Sequence, residues 1–507
     1  MSFLPHREHS NGENNCSTGI PGLDNILSGG VQRHRFHLVQ GAPGSGKTTI
    51  GLHFLLEGIR QGEKGLFVTL SETVQELEEV ARSHGWSLDG LEIFDLSAVT
   101  EKVVSEAQST LFHPSEVELT KFVETLLAEV KRLQPARIVF DSLSEMRLLA
   151  QSPMRYRRQL LSLKQFFGAQ KCTVVMLDDG LGRNGDGEVR SIAHSCLQLE
   201  QTSLEYGSNR RQLCAVKVRG RNFRSGRHDF VIRQGGVTVY PRLVAAEHRH
   251  GESPGVISSG HAALDTLLGG GLNRGTSCLL LGPPGTGKSS LGAQLAVASA
   301  ERGEPVALYL FDEKQQTFVE RAEALGGHWN KHAAKGLLEA TQLDPVEISP
   351  GEFAHRIREA VERRGVRMVV IDSLNGYLNA MPGERALLAQ LHELLIYLAQ
   401  QGVVTVMVLA QNGVVGTMVS PIDVTYIADT VLLLRYFEFD GAVKQAISVL
   451  KKRSGPHERT IREFRVGSEG LQVGEPLTDF HGVLTGIPTY DGNAQSVMPA
   501  ARGESGN

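Results

Sequence analysis

No stretch of this chain reaches the roughly 18 consecutive apolar residues that a membrane-crossing helix needs, so no span is expected. The opening residues, MSFLPHREHSNGENN, lack the apolar centre of a secretory signal and read as a short disordered tail. Cysteine is sparse: Cys16, Cys172, Cys196, Cys214 and Cys278 are odd in number, scattered and without metal-ligand spacing. They read as reduced thiols packed like small apolar residues in a cytoplasmic protein. There is no excess of basic charge either. A net charge of -4 argues against a surface given over wholesale to nucleic acid, although it leaves room for a local basic groove.

What the chain does have is a long internal repeat. At 507 residues it exceeds one ordinary core. STGIPGLDNILSGG (Ser17 to Gly30) precedes QGAPGSGKTTI, and SSGHAALDTLLGGG (Ser258 to Gly271) precedes LGPPGTGKSSL. Lys288 lies 241 residues beyond Lys47, and Glu313 the same 241 beyond Glu72. Such a period is too long for a solenoid unit and points to duplication of a whole domain. Short β-rich runs alternate with helical patterns: FHLVQ, GLFVTL, ARIVFD and CTVVML in the first half, SCLLLG, VALYLF, RMVVID and VVTVMVLA in the second. This predicts an α/β fold of two tandem P-loop domains, each a mainly parallel sheet flanked by helices. The expected layout is a tail over 1–15, one domain over 16–244, a linker over 245–255, a second domain over 256–490 and a tail over 491–507.

Both halves carry G-x-x-x-x-G-K-[ST] after a strand and before a helix, the context that motif requires. The first match is Gly41, Ala42, Pro43, Gly44, Ser45, Gly46, Lys47 and Thr48, continuing into Thr49. The second is Gly282, Pro283, Pro284, Gly285, Thr286, Gly287, Lys288 and Ser289, continuing into Ser290. The glycines let backbone N–H groups face the phosphates of ATP, and the helix that follows adds its positive end. Lys47 and Lys288 then set a cation on the transferring phosphate, and the hydroxyls of Thr48 and Ser289 ligate Mg²⁺. Asp141 and Asp372 each end a strand where a carboxylate orients the metal's water shell. Glu72 and Glu313, with Asp312 beside the second, follow the second strand of each half. They are the candidates to deprotonate the attacking water, so both sites are expected to hydrolyse ATP. A strand-end aspartate by itself is as readily a helix N-cap, and a lone acid entering a helix as readily a solvated one.

At these residues the chain resembles the KaiC family, the double-domain ATPase and autokinase of the cyanobacterial clock within the RecA superfamily. VTLSE followed by ARSHGW, VKVRG (Val216 to Gly220), GVLTGIPT (Gly482 to Thr489) and above all KKRSGPHERTIREF (Lys451 to Phe464) carry the likeness. The resemblance implies a hexameric double ring with ATP between subunits. In it Lys217 with Arg219, and Lys451 with Arg453, reach the neighbour's triphosphate. On a strand, residues i and i+2 share a face, so each Lys-x-Arg can present two cations together. The family usually has two adjacent glutamates where this chain has Ser71-Glu72 and Asp312-Glu313, which implies slower hydrolysis at the first site. Thr425 and Tyr426 stand where clock members have a Ser-Thr phosphoacceptor pair. A single-site serine/threonine autokinase acting on Thr425 is therefore implied rather than a two-site cycle. A phosphate there would meet Asp423 and Asp429 unless a cation such as Arg435 swung in.

Two rival readings stay open. A DNA-dependent motor can cite Arg155-Tyr-Arg-Arg158, a basic run with an aromatic. Against it, the corresponding stretch of the second half (Leu378 to Leu388) is nearly neutral, and the loop from Asp178 to Glu188 is net acidic. A nucleotide-dependent scaffold needs dead sites, and both look chemically complete. Homo-oligomerisation and regulatory protein partners are expected; DNA and membrane are not.

Overall fold

The computed structural model describes residues 14–96, 114–150, 152–180, 186–248, 255–378, 384–413, 423–467, 470–485 and 489–490. The chain forms two compact units, Met1–Arg242 and Leu243–Asn507. Most of the two tails lies outside the described residues. Asn15, assigned to the first tail by the sequence, is instead in a strand: β1 (Asn15–Cys16) pairs antiparallel with β2 (Val31–Gln32). Residues 249–254 of the expected linker are also outside the described residues. Its first residues pack on the second unit: Ala245 is buried, its N–H donates to Glu393 at 3.1 Å, and the His248 ring meets Tyr397 edge-on.

In the first unit β3 (Phe36–Gly41), β4 (Gly65–Thr69), β5 (Leu91–Asp95), β6 (Arg137–Asp141), β7 (Thr173–Asp178), β8 (Ser195–Thr202), β9 (Arg210–Val218), β10 (Arg227–Arg233) and β11 (Gly236–Tyr240) make one nine-stranded sheet. Its order is β5-β4-β6-β7-β3-β8-β9-β10-β11. The strands from β5 to β8 run parallel, and β9 to β11 extend the sheet antiparallel. The parallel strands read as unbroken apolar runs because both faces are covered. Leu38 and Val174 enter the core on one side, Val39 and Val175 the core on the other.

The second unit repeats this. A short pair, β12 (Val256–Ile257) and β13 (Leu272–Asn273), precedes β14 (Ser277–Gly282), β15 (Val306–Leu310), β16 (Leu338–Gln342), β17 (Met368–Asp372), β18 (Val404–Ala410), β19 (Thr430–Phe439), β20 (Ala442–Lys452), β21 (Ile461–Gly467) and β22 (Gly470–Pro476). The sheet order is β16-β15-β17-β18-β14-β19-β20-β21-β22, with β20 to β22 antiparallel. A final pair, β23 (Phe480–His481) and β24 (Thr489–Tyr490), closes over Phe437 and Phe439. In both sheets the P-loop strand, β3 or β14, is central. The connection reverses direction across the sheet beside it, which opens a crevice at the strands' carboxyl ends.

Candidate nucleotide sites

Each P-loop ends on a glycine that only glycine's backbone suits. Gly46 and Gly287 cap the helices Lys47–Arg60 and Lys288–Glu301 in the left-handed region, at φ 100 and 89. A Cβ there would also press on Ile232 at 2.5 Å or Val466 at 2.8 Å, so each loop is seated against the antiparallel half of its sheet. The helices begin at the lysines, and their first amide groups point into the crevice.

The structure brings the first-site candidates together. The Lys47 ammonium donates to the carbonyls of Gly41 at 2.8 Å and Ala42 at 3.1 Å. The Thr48 hydroxyl donates to Asp141 Oδ2 at 2.8 Å. Asp141 is buried, and that burial holds its carboxyl above the usual range despite the Thr48 bond and the Lys47 charge. Glu72 leaves β4 by a turn that Thr69 ties from both sides, accepting from the Glu72 N–H and donating to its carbonyl. Burial, then the charges of Asp141 and Glu76, push the Glu72 carboxyl up to about 7, against the pull of Lys47. Among the described residues its Oε2 is buried without a hydrogen-bond partner. A half-buried carboxylate beside Lys47 and Asp141 suits a base for water.

The second site is built the same way but charged differently. Lys288 is buried and donates to the Pro283 carbonyl at 2.6 Å, and the Ser289 hydroxyl bonds Asp372. Burial lowers the Lys288 ammonium to about 8, only partly offset by Asp372. Asp312 accepts a hydrogen bond from Ser373, the residue after Asp372. Glu313 forms a bidentate ion pair with Arg321, at 2.6 and 2.7 Å. The two candidate bases are therefore in unlike surroundings.

The Lys-x-Arg pairs lie elsewhere. Lys217 is opposite Cys196 near the start of β8, and its ammonium bonds the carbonyls of Arg190 and Ala193. Arg219 bonds the Ser191 carbonyl at 2.7 Å. Lys451 bonds the Thr425 and Ala428 carbonyls at 2.8 Å, while Arg453 bonds the Tyr426 carbonyl and Asp429. Asp429 in turn receives the Ser277 N–H at the first residue of β14. These four cations and Thr425 thus sit at the amino ends of the parallel strands, whereas the P-loops leave the carboxyl ends. A six-residue strand such as β3 or β14 spans roughly 20 Å. No chain can bring these cations to its own P-loop.

Several side chains around these groups escaped the sequence reading. Asp179 pairs with Lys47 at 2.9 Å, and buried Asp178 takes bonds from Gln40 and Arg147. The two acids ending CTVVMLDD were the available signal. Lys164, bonding the Ile192 carbonyl at 2.7 Å, joins Lys217 and Arg219 on one short run of carbonyls, which spacing in sequence does not reveal. Arg435, expected near Thr425, is in β19 opposite Ala446, a strand's length from Thr430. The cations beside Thr425 are Lys451 and Arg453 instead. Tyr156, the aromatic of the basic run, is buried under the Arg147 guanidinium and offers no stacking face to a base.

A family model described as an ATPase, KaiC, matches residues 16–244 and 257–478. The chain belongs to the KaiC ATPase family. It is similar to the circadian clock protein KaiC3 of Synechocystis sp., at 25% identity over 494 residues covering 96% of this chain and 97% of that one. It is also similar to the circadian clock oscillator protein KaiC of Synechococcus elongatus, 26% identical over 482 residues, 93% of this chain and 91% of the other. KaiC of Thermostichus vulcanus is 25% identical over 504 residues, covering 96% of each. With its tandem P-loop domains the protein is a KaiC-family ATPase. Among the described residues no helix is long and apolar enough to cross a membrane.

Proposed function

We propose that each chain hydrolyses ATP at both P-loops within a ring, six subunits round, in which every nucleotide is completed by the Lys-x-Arg pair of the next subunit. The observation that carries this is the placement of Lys217, Arg219, Lys451 and Arg453 at the sheet edge opposite the P-loops. Two cations held at an edge that their own nucleotide cannot reach make sense as a neighbour's contacts. Thr48 with Asp141, and Ser289 with Asp372, would hold Mg²⁺, which when bound offsets charge on the phosphate oxygens. The fit is good: hydroxyl and carboxylate already face each other beside the P-loop lysine, as a metal shared with phosphates requires. The attacking water forms its bond to the γ-phosphorus as the bridging P–O bond breaks toward ADP, and the water's proton passes to Glu72 in the first site. In the second, Asp312 and Glu313 are the carboxylates within reach. For this chain the reading is a nucleotide-driven switch in the cytoplasm, read by regulatory proteins, in keeping with the circadian clock role of its relatives.

Mixing Arg219→Ala subunits with Lys47→Ala subunits tests the ring. Some interfaces then pair an intact loop with an intact arginine, and ATP turnover should recover above either variant alone. Confirmed subunit exchange without recovery at any ratio removes Arg219 from the neighbour's site, and sedimentation as monomers with ATP present removes the ring.

A second reading, autophosphorylation, is favoured by Thr425. Its hydroxyl donates to Asp423 at 2.6 Å, and it lies at the same edge as Lys451 and Arg453. In a ring the same edge that meets the neighbour's triphosphate would present this hydroxyl to it.

A further inference from the structure

The helices that follow Glu72 and Glu313, Val74–Ser83 and Gln315–Ala324, correspond residue for residue along the repeat, yet they bear opposite charges toward the site. In the first, Glu76 belongs to a capping box with Thr73 and faces Glu72 as a like charge. Val80 stands where the second helix has Arg321. In the second, the Arg321 guanidinium is fixed on two sides. Its fork meets both Glu313 oxygens, and its plane lies over the Phe318 ring at 5.4 Å. Phe318 is itself buried, against Trp329 at 5.3 Å. Both partners are partly screened from solvent, at 34% for Arg321 and 25% for Glu313, and the bidentate fork is the geometry in which such a pair is strongest.

We propose that Arg321 is a positioning residue of the second site, a latch that holds Glu313 away from the attacking water and leaves Asp312 to take its proton. A carboxylate whose two oxygens are both engaged by one guanidinium must break two charge-assisted bonds before it can accept a proton from water. Among the described residues Asp312 carries no such pair. It accepts one bond from Ser373, next to Asp372, and so keeps oxygen lone pairs for water while being held beside the metal-site carboxylate. Glu313 neutralises the guanidinium, so the latch costs the site a base while adding little net positive charge near the γ-phosphate. The two halves thereby differ by design of one helix: an unlatched base at the first site, a latched one at the second. This rests on the reading that the second P-loop turns over ATP.

The experiment uses the full chain carrying Glu72→Gln, so that phosphate release reports the second site, with Lys288→Ala in that background as the check on the site itself. Arg321→Met, which keeps an apolar stem over Phe318, should raise turnover about five- to tenfold. Glu313→Gln in the Arg321→Met chain should remove that gain, and Asp312→Asn should cut turnover on the order of 10²-fold while Arg321 is in place but far less in the Arg321→Met chain, where Glu313 can take the proton instead. Arg321→Lys, which keeps the charge but not the fork, should fall between. Dependence of the gain on Glu313 is the readout that a merely structural arginine would not give. Turnover unchanged or lowered in both Arg321→Met and Arg321→Lys, with nucleotide stoichiometry intact, overturns the latch. So does a gain that survives Glu313→Gln. If Lys288→Ala leaves phosphate release untouched, the second site does not hydrolyse ATP, and the latch falls with that reading rather than by its own test.

Discussion

Replacing Glu72 by glutamine should make the first domain more stable and nearly inactive, and the two effects share one cause. Burial, with Asp141 and Glu76 adding like charge, raises this carboxyl from 4.5 to about 7. The rise corresponds to about 3 kcal/mol at 1.36 kcal/mol per pH unit. Glu72 is only half-buried, so solvent screening reduces this to about 1–2 kcal/mol. The sign follows from proton counts. Between pH 4.5 and 7 the folded chain keeps a proton on Glu72 that the unfolded chain has released, so the wild type loses stability as pH rises through that window. Glutamine does not ionise. The variant should therefore match the wild type near pH 4.5 and exceed it by about 1–2 kcal/mol above pH 7. Urea unfolding of the nucleotide-free protein, followed through the first domain's transition at both pH values, measures the difference. First-site turnover should fall on the order of 10²-fold or more with ATP affinity little changed. In the wild type, kcat/KM of that site should climb about tenfold per pH unit below 7 and level off above. A stability advantage of the variant over the wild type that is no larger at pH 8 than at pH 4.5 would refute the charged, desolvated carboxylate, and unchanged turnover would place the base elsewhere.

With the first site silenced by Lys47→Ala, ATP affinity at the second should weaken above pH 8, about tenfold per pH unit, because binding there must first restore the proton that burial removes from Lys288. Titration calorimetry across pH 7 to 10 reads it directly, and Lys288→Arg, which stays charged, should flatten the dependence. Incubation with labelled ATP should mark wild type and Tyr426→Phe but not Thr425→Ala; label retained in Thr425→Ala would place the acceptor at another residue, and no label in any form would leave an ATPase without kinase activity.

Much of this protein was written in local sequence. The two P-loops, Asp141 and Asp372 announced themselves because phosphate binding needs a fixed backbone path within a few residues of one strand end. The β-rich runs identified the parallel strands because burial on both faces forces unbroken apolar stretches. Register and charge environment were decided only by tertiary structure. That Lys217, Arg219, Lys451 and Arg453 lie a strand's length from their own P-loops depends on antiparallel pairing with β8 and β19, which runs the chain back to the far edge. Asp179 reaches Lys47 because β7 lies beside β3. Glu72 and Glu313 look alike in sequence, each an acid after a buried strand. Folding sets Glu76 against the first and Arg321 against the second. Coulomb energy depends on distance through space rather than along the chain, so the sequence could name the candidate bases but only the packed helices separate a poised one from a paired one.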